Sequence, residues 1–426
     1  MASKLANQPN ATARMDGAIT HPRVLLFLLT LAMGINFFDR VSLSVSAPVW
    51  APELHITTWS LGLLLSSFFW TYSVCQIGSG WLVDRVEARS AYAAAFTLWS
   101  IATLCMAFAS SFQGLLSGLL VLGVCESLAY PMTSHIIASA FREERRGLAN
   151  SLVDLGARLG PAAGTMGGGL LIAHVGWRGL LAICGIGGGL WVIPWLLLAP
   201  RIRVSQEKSS HEVVSWKRLL SRRAVWGTVG GICGANYAWY FLLTWLPSYL
   251  VRERHFSMAS LATFGALPYL FMAISSVSSG ALSDYLIKRG HAPITVRKAF
   301  LSVGLVTTAL LLPIVLSPQI ALSLAGLYLS CFGFGVYASN LFSLTQALAG
   351  SQAAGRWTGV QNCFGNVVGI ASGICTGWLV QHMGSFVIPF IAASGACLLG
   401  AASFWLLVRE KRTEIFSFDT TPQVCQ

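Results

Sequence analysis

The sequence predicts an all-α polytopic membrane protein of twelve transmembrane helices in two pseudo-symmetric six-helix bundles. Three observations carry this. Hydrophobic residues are 55% of the 426 and charged residues only 10%, against about 25% charged in soluble domains. Apolar stretches of about 20 residues, the length of a membrane-crossing helix, recur along the whole chain. Barrel strands would be shorter and would alternate in polarity. Finally, basic residues crowd into alternate turns between the apolar runs.

The runs fall at 24–46, 59–82, 90–110, 113–136, 148–172, 178–199, 224–249, 258–282, 298–316, 319–342, 357–381 and 386–408. Arg85 and Arg89 follow the second, Arg142, Arg145 and Arg146 the fourth, and a basic loop the sixth. Lys288, Arg289, Arg297 and Lys298 follow the eighth, and Arg409, Lys411 and Arg412 the last. The intervening turns are nearly bare. This positive-inside pattern places both ends in the cytoplasm, and it accounts for the net charge of +12 without a nucleic-acid partner. The expected organisation is a disordered N-terminus (1–20), a first bundle (21–199), a cytoplasmic linker (200–223), a second bundle (224–408) and a cytoplasmic tail (409–426).

Several classes of function find no support. The short turns leave no room for a soluble catalytic domain. The histidines are scattered without metal-ligand spacing, so no metal and no cofactor is expected, and no reactive constellation marks an enzyme. The ten cysteines form no framework, and Cys105, Cys184, Cys331 and Cys397 read as small buried hydrophobes. No cleavable signal is evident.

The halves echo each other. Gly80-Trp-Leu-Val-Asp84-Arg85 follows the second run of the first half, and Gly280-Ala-Leu-Ser-Asp284 the second run of the second. Each glycine permits close helix approach. Each aspartate sits at a helix end, where it caps or pairs. Asp84, Arg85 and Asp284 are therefore candidates for a cytoplasmic latch. Two related bundles around a central path are the layout of an alternating-access transporter.

Charges inside the apolar runs carry the functional reading, because ionisable groups there are costly unless paired or lining a water-filled path. Asp39 and Arg40 sit side by side in the first run. Glu126 lies in the fourth; a carboxyl among apolar groups can hold and release a proton near neutral pH, or bond a neighbouring helix. Asp154 and Arg158 in the fifth are one turn apart and can pair within the helix; alternatively Arg158 faces the cavity and attracts an anion. The second half offers mainly neutral groups: Tyr240, Tyr337, Ser343, Asn362 and Asn366. These, with Tyr72 from the first half, are candidate substrate contacts, or they bond helix to helix. Such a cavity suits a small organic anion, its carboxylate on an arginine fork and its hydroxyls on Asn, Ser and Tyr.

Taken together, Ile35-Asn36-Phe37-Phe38-Asp39-Arg40, Gly123-Val-Cys-Glu126, Trp245-Leu-Pro247-Ser-Tyr249 and the Gly355–Gly369 stretch resemble the anion:cation symporter family of the major facilitator superfamily. That family includes bacterial sugar-acid transporters and vertebrate sialic acid and vesicular glutamate transporters. The resemblance implies that Asp39 and Glu126 couple protons, that Arg40 engages the substrate carboxylate, and that Asn362 and Asn366 contact substrate. The chain departs from the pattern twice: Leu119 stands where the family often has arginine, and Glu87 where the superfamily usually has glycine. The resulting expectation is a monomeric proton-coupled symporter in a bacterial inner membrane, surrounded by lipid, for a small organic anion such as a hexonate, hexuronate or aldarate. A proton-coupled exporter or exchanger, and transport of aromatic carboxylates, stand as alternatives.

Overall fold

The computed structural model describes residues 22–83, 85–141, 143–200 and 216–408. Among them the regular structure is entirely helical. It begins with α1 (Pro22–Glu53), α2 (Thr58–Val83) and α3 (Ala88–Met106). Then come α4 (Phe112–Glu126), α5 (Ala129–Ala140) and α6 (Glu143–Leu198). A short α7 (Trp216–Leu220) leads into α8 (Arg223–Arg252), α9 (Met258–Phe264) and α10 (Leu267–Lys288). The chain closes with α11 (Pro293–Thr308), α12 (Leu311–Leu316), α13 (Ile320–Met383) and α14 (Val387–Leu407). Seven of the described stretches are long and apolar enough to cross a membrane. Large apolar side chains such as Val74, Leu197 and Leu399 point outward, the surface of a protein whose solvent is lipid. The chain is a multi-pass membrane protein.

Helix ends differ from the expected runs for two physical reasons. Three runs are broken. The stretch 113–136 stops at Glu126 and restarts at Ala129, 258–282 is interrupted after Phe264, and 298–316 after Thr308. Each break opens at or beside the residue four before a proline: Ser127 before Pro131, Phe264 before Pro268, Ala309 before Pro313. Proline has no N–H for that carbonyl. Other runs are joined. The fifth and sixth form α6, 56 residues or about 84 Å at 1.5 Å per residue, far beyond the hydrocarbon thickness of about 30 Å. It turns at Gly176, whose φ of 69° is open to glycine without a Cβ clash. The tenth and eleventh join as α13. Gly335 in its first part meets Met272 and Ser275 of α10, whereas Gly373 in its second part meets Ser66 of α2.

One local geometry appears twice. Glu53, ending α1, accepts from Trp177 Nε1 at 2.6 Å and pairs with Arg178. Glu253, just after α8, accepts from the N–H of Phe386 at 2.7 Å. Two residues on, His55 and His255 both have positive φ, 53° and 55°. Thr57 and Ser257 then bond Ser60 and Ser260. Each glutamate thus ties the turn to the start of a later helical stretch.

Glu87 has a structural use. Its carboxylate caps α3, accepting from the N–H groups of Arg89 and Ser90 at 3.0 and 2.8 Å. A glycine there would offer no such acceptor. Among the cysteines, Cys184, Cys331 and Cys397 are buried as expected, but Cys105 is exposed on the outer surface. Contacts that join the earlier helices to the later ones are made by α2 on α13, α1 on α8, and α6 on α9 and α10.

Candidate functional site

Helical repeat places Asn36 and Arg40 one turn apart on the same face of α1. Opposite them α4 ends at Glu126, which is fully buried. Arg40 Nε donates to Glu126 Oε2 at 2.7 Å, with the side chains 7% and 0% exposed. The guanidinium also lies 5.0, 4.5 and 4.7 Å from the ring centres of Phe37, Phe68 and Tyr72, where aromatic faces attract a cation. Arg40 is therefore held by one charge and three rings.

The pairing is incomplete. Arg40 Nη2, Glu126 Oε1, and every side-chain N and O atom of Asp39 and Asn36 are buried without a hydrogen-bond partner. Such groups are few in folded proteins, and here they cluster. Asp39 is 4% exposed and has Trp99, Cys184 and Glu126 as neighbours. Arg40 rests against Glu126, not against the adjacent Asp39, because neighbouring helical residues project onto different faces. Glu126 is accordingly not an isolated carboxyl: its counter-charge comes from another helix.

A narrow cavity of about 30 Å³ reaches Asp39 and Arg40 on α1, Leu119 and Leu122 on α4, and Leu243 and Thr244 on α8. It has room for a water or two and must widen for anything larger. The departure at Leu119 lies in its wall.

Arg158 pairs with Asp154 at 3.3 Å within α6. Its guanidinium also lies 5.9 Å from the ring of Trp239 on α8. The in-helix pair and the contact across to the later helices thus coexist.

A hydrogen-bonded row crosses the same boundary. Tyr240 Oη on α8 donates to Asn366 Oδ1 on α13 at 2.7 Å. Asn366 Nδ2 donates to Gln76 Oε1 on α2 at 2.8 Å, and Gln76 Nε2 donates to Tyr72 Oη at 3.4 Å. Tyr72 stacks on Phe68, with ring centres 5.1 Å apart, and both rings face Arg40. Tyr72, Tyr240 and Asn366 therefore come together with the Arg40–Glu126 pair.

Other expected contacts do not join them. The Tyr337 hydroxyl is buried without a hydrogen-bond partner, beside Cys233 and Cys397, within the packing of α8, α13 and α14. Ser343 and Asn362 are half-buried and take no part in the row. Of the latch residues, Asp84 lies outside the described residues, Arg85 follows α2, and Asp284 of α10 pairs with Arg297 of α11 at 3.5 Å.

Sequence reasoning passed over Gln76, Phe68 and Trp239. For Gln76 the signal was present: an amide in an apolar run, four residues after a candidate tyrosine. For the rings no signal existed, because one aromatic among many in lipid-spanning helices looks like packing.

A half-satisfied ion cluster on a narrow cavity between membrane-crossing helices is the kind of central site a transporter needs. The chain belongs to the Major Facilitator Superfamily, whose profile matches residues 29–373. It is 28% identical to the probable galactarate/D-glucarate transporter GarP of Escherichia coli K12, covering 93% of this chain and 97% of that one. It is 27% identical to the D-galactonate transporter of Escherichia coli O6:H1, covering 90% and 94%. With the probable sulfoacetate transporter SauU of Cupriavidus necator it shares 30% identity over 91% and 94%. Its fold matches the crystal structure of a bacterial homolog of the human lysosomal transporter Spinster, with a TM-score of 0.75 and 17% identity over 90% of this chain and 96% of that one.

Proposed function

We propose that this protein is a proton-coupled symporter that carries a small organic anion, foremost a sugar acid, across a bacterial inner membrane. The observation that carries this reading is the buried Arg40–Glu126 ion pair beside an unpaired Asp39, on a cavity lined from both halves of the chain. The names of the relatives, transporters of galactarate, galactonate and sulfoacetate, agree with an anion as cargo.

The mechanism follows from charge balance. Among the described residues a charge on Asp39 has no counter-ion, so Asp39 carries a proton. Glu126 holds Arg40 until an incoming carboxylate takes its place on the planar fork. Glu126 accepts a proton as it lets go, which spares the site an uncompensated buried charge. Proton and anion then each bind more tightly with the other present, by the same factor.

In the finer architecture we infer, twelve spans form two six-helix bundles, 21–199 and 224–408, joined by a cytoplasmic linker at 200–223. Both ends are cytoplasmic and the carrier is a monomer. The twice-used Glu53/Glu253 and His55/His255 geometry supports the repeat. Asp284 with Arg297, and Asp84 with Arg85, would latch the cytoplasmic side. Arg158 would add positive potential for the anion where Leu119 offers none. The three rings about Arg40 also favour a second cargo class, aromatic carboxylates.

The test is uptake into proteoliposomes holding purified protein, with D-galactonate, galactarate, D-glucarate and sulfoacetate offered in turn. Saturable accumulation that needs an inward proton gradient is the expected result. Uptake indifferent to that gradient would overturn the coupling. Substrate leaving as protons enter would recast the protein as an exporter.

A further inference from the structure

We propose that Gln76 is a positioning residue for the anion, acting through Tyr72: it fixes Tyr72 as a hydrogen-bond donor toward whatever carboxylate Arg40 holds. This rests on the reading that Arg40 is the anion-binding group. Gln76 stands one helical turn after Tyr72 on α2, half-buried. It is the middle of the row that begins at Tyr240 and runs through Asn366.

The row has a direction. Tyr240 spends its proton on Asn366 Oδ1. Asn366 spends an amide proton on Gln76 Oε1, and that fixes which end of the Gln76 amide faces Tyr72. Gln76 Nε2 therefore donates to the Tyr72 oxygen. A phenol that accepts in this way keeps its own O–H for another acceptor. The centre of the Tyr72 ring lies 4.7 Å from the Arg40 guanidinium carbon, so the phenol stands beside any carboxylate held on that guanidinium. An anion oxygen is the acceptor that completes the set.

The same row joins α2 to α8 and α13. Gln76 thereby links the donor state of Tyr72 to the later helices, through two amides that have no charge to misplace. Removing Gln76 takes away the donor that holds the Tyr72 oxygen as an acceptor, so the phenol is free to turn its proton away from the anion. Gln76→Glu would do more: a carboxylate beside Tyr72 takes its proton as acceptor and repels the cargo.

The experiment is a double-mutant cycle on purified protein in detergent, read by thermal shift against D-galactonate, galactarate, D-glucarate and sulfoacetate. The compound giving the largest shift is then used in counterflow. Gln76→Leu is expected to weaken binding about fivefold to tenfold, with Gln76→Glu weaker still. In counterflow KM should rise while kcat changes less than twofold. On a Tyr72→Phe background the same Gln76→Leu change should alter affinity less than twofold, since the proton it directs is gone. A merely structural role would lower kcat or the melting temperature and would add to Tyr72→Phe. Full additivity, or unchanged affinity in a folded Gln76→Leu protein, overturns the inference and leaves Arg40 untouched. If no compound shifts the unmodified protein, or if Arg40→Lys leaves every shift intact, the anion-site reading fails first and takes this one with it.

Discussion

Arg40 is shared between Glu126 and three aromatic rings, and that sharing decides what a substitution does. Lysine keeps the charge but loses the planar fork and the stacking surface. Arg40→Lys is expected to bind the preferred anion at least tenfold more weakly, about 1.4 kcal/mol. The thermal-shift titration measures this, and equal affinity in the purified variant would remove Arg40 from the anion site. Glu126→Gln imitates the protonated acid permanently. It should still bind anion and still exchange labelled for unlabelled anion across a membrane. It should not concentrate anion when driven by a proton gradient. A Glu126→Gln protein that accumulates normally would leave Asp39 as the coupling group by itself. Loss of exchange too, in folded protein, would mean that Glu126 only holds α4 to α1.

At the scale of the element, α3 has a testable start. Burial raises the Glu87 carboxyl, but hydrogen bonds from Ser90 and the Arg89 N–H outweigh it and hold it below its ordinary range. A carboxyl depressed by folding stabilises the fold fully above its unfolded value, about 4.3, and that contribution fades as pH falls through the lower, folded value. Glu87→Ala should therefore cost about 1 kcal/mol at neutral pH, the usual worth of an N-cap. It should also flatten the fall of Tm with acidification below about pH 5. Melting curves at neutral and acidic pH, for variant and parent, check both. A cost that persists unchanged at the acid end would assign it to packing instead. Prolines act at the same scale. Those beside the splits of the fourth, eighth and ninth runs each remove one N–H, yet Pro161 and Pro247 do the same where the helix continues, so the missing bond by itself does not set a break.

For the whole molecule, the decisive contact is α2 on α13. A β-carbon on Gly62 would come within 2.7 Å of the Gly373 carbonyl oxygen and 3.0 Å of Gly377 Cα, so no other residue lets these backbones approach as closely. The N–H of Trp59 near the start of α2 is satisfied from across the boundary by Gln381 Oε1 at 2.6 Å. In the cavity wall, Ser44 Oγ on α1 donates to the Leu243 carbonyl on α8 at 2.8 Å. This end of the cavity is closed. In the proposed orientation it is the outer end. Gly62→Val is expected to force it open. A cysteine introduced at Ser44, which is 1% exposed, should then react severalfold faster with a membrane-impermeant maleimide added from outside. Equal labelling rates with and without Gly62→Val would mean that closure does not depend on this approach.

Composition and the length of the apolar runs were enough to point to an all-helical, multi-pass protein, because a bilayer admits only helices or closed barrels and runs of about 20 apolar residues are too long for barrel strands. Single residues such as Asp39, Arg40 and Glu126 were also legible, since a charge in an apolar run is conspicuous wherever it ends up. The breaks within runs were not legible: whether one run splits, as the fourth does after Glu126, depends on a few backbone angles that tertiary contacts set. Nor was the partnership of Arg40. It has a carboxylate beside it in the chain and another 86 positions away, and helix geometry, not proximity in sequence, chose the distant one. The Tyr240–Asn366–Gln76–Tyr72 row spans 290 positions at its widest link. Local propensity says nothing about such a pairing, which exists only because α2, α8 and α13 are packed side by side.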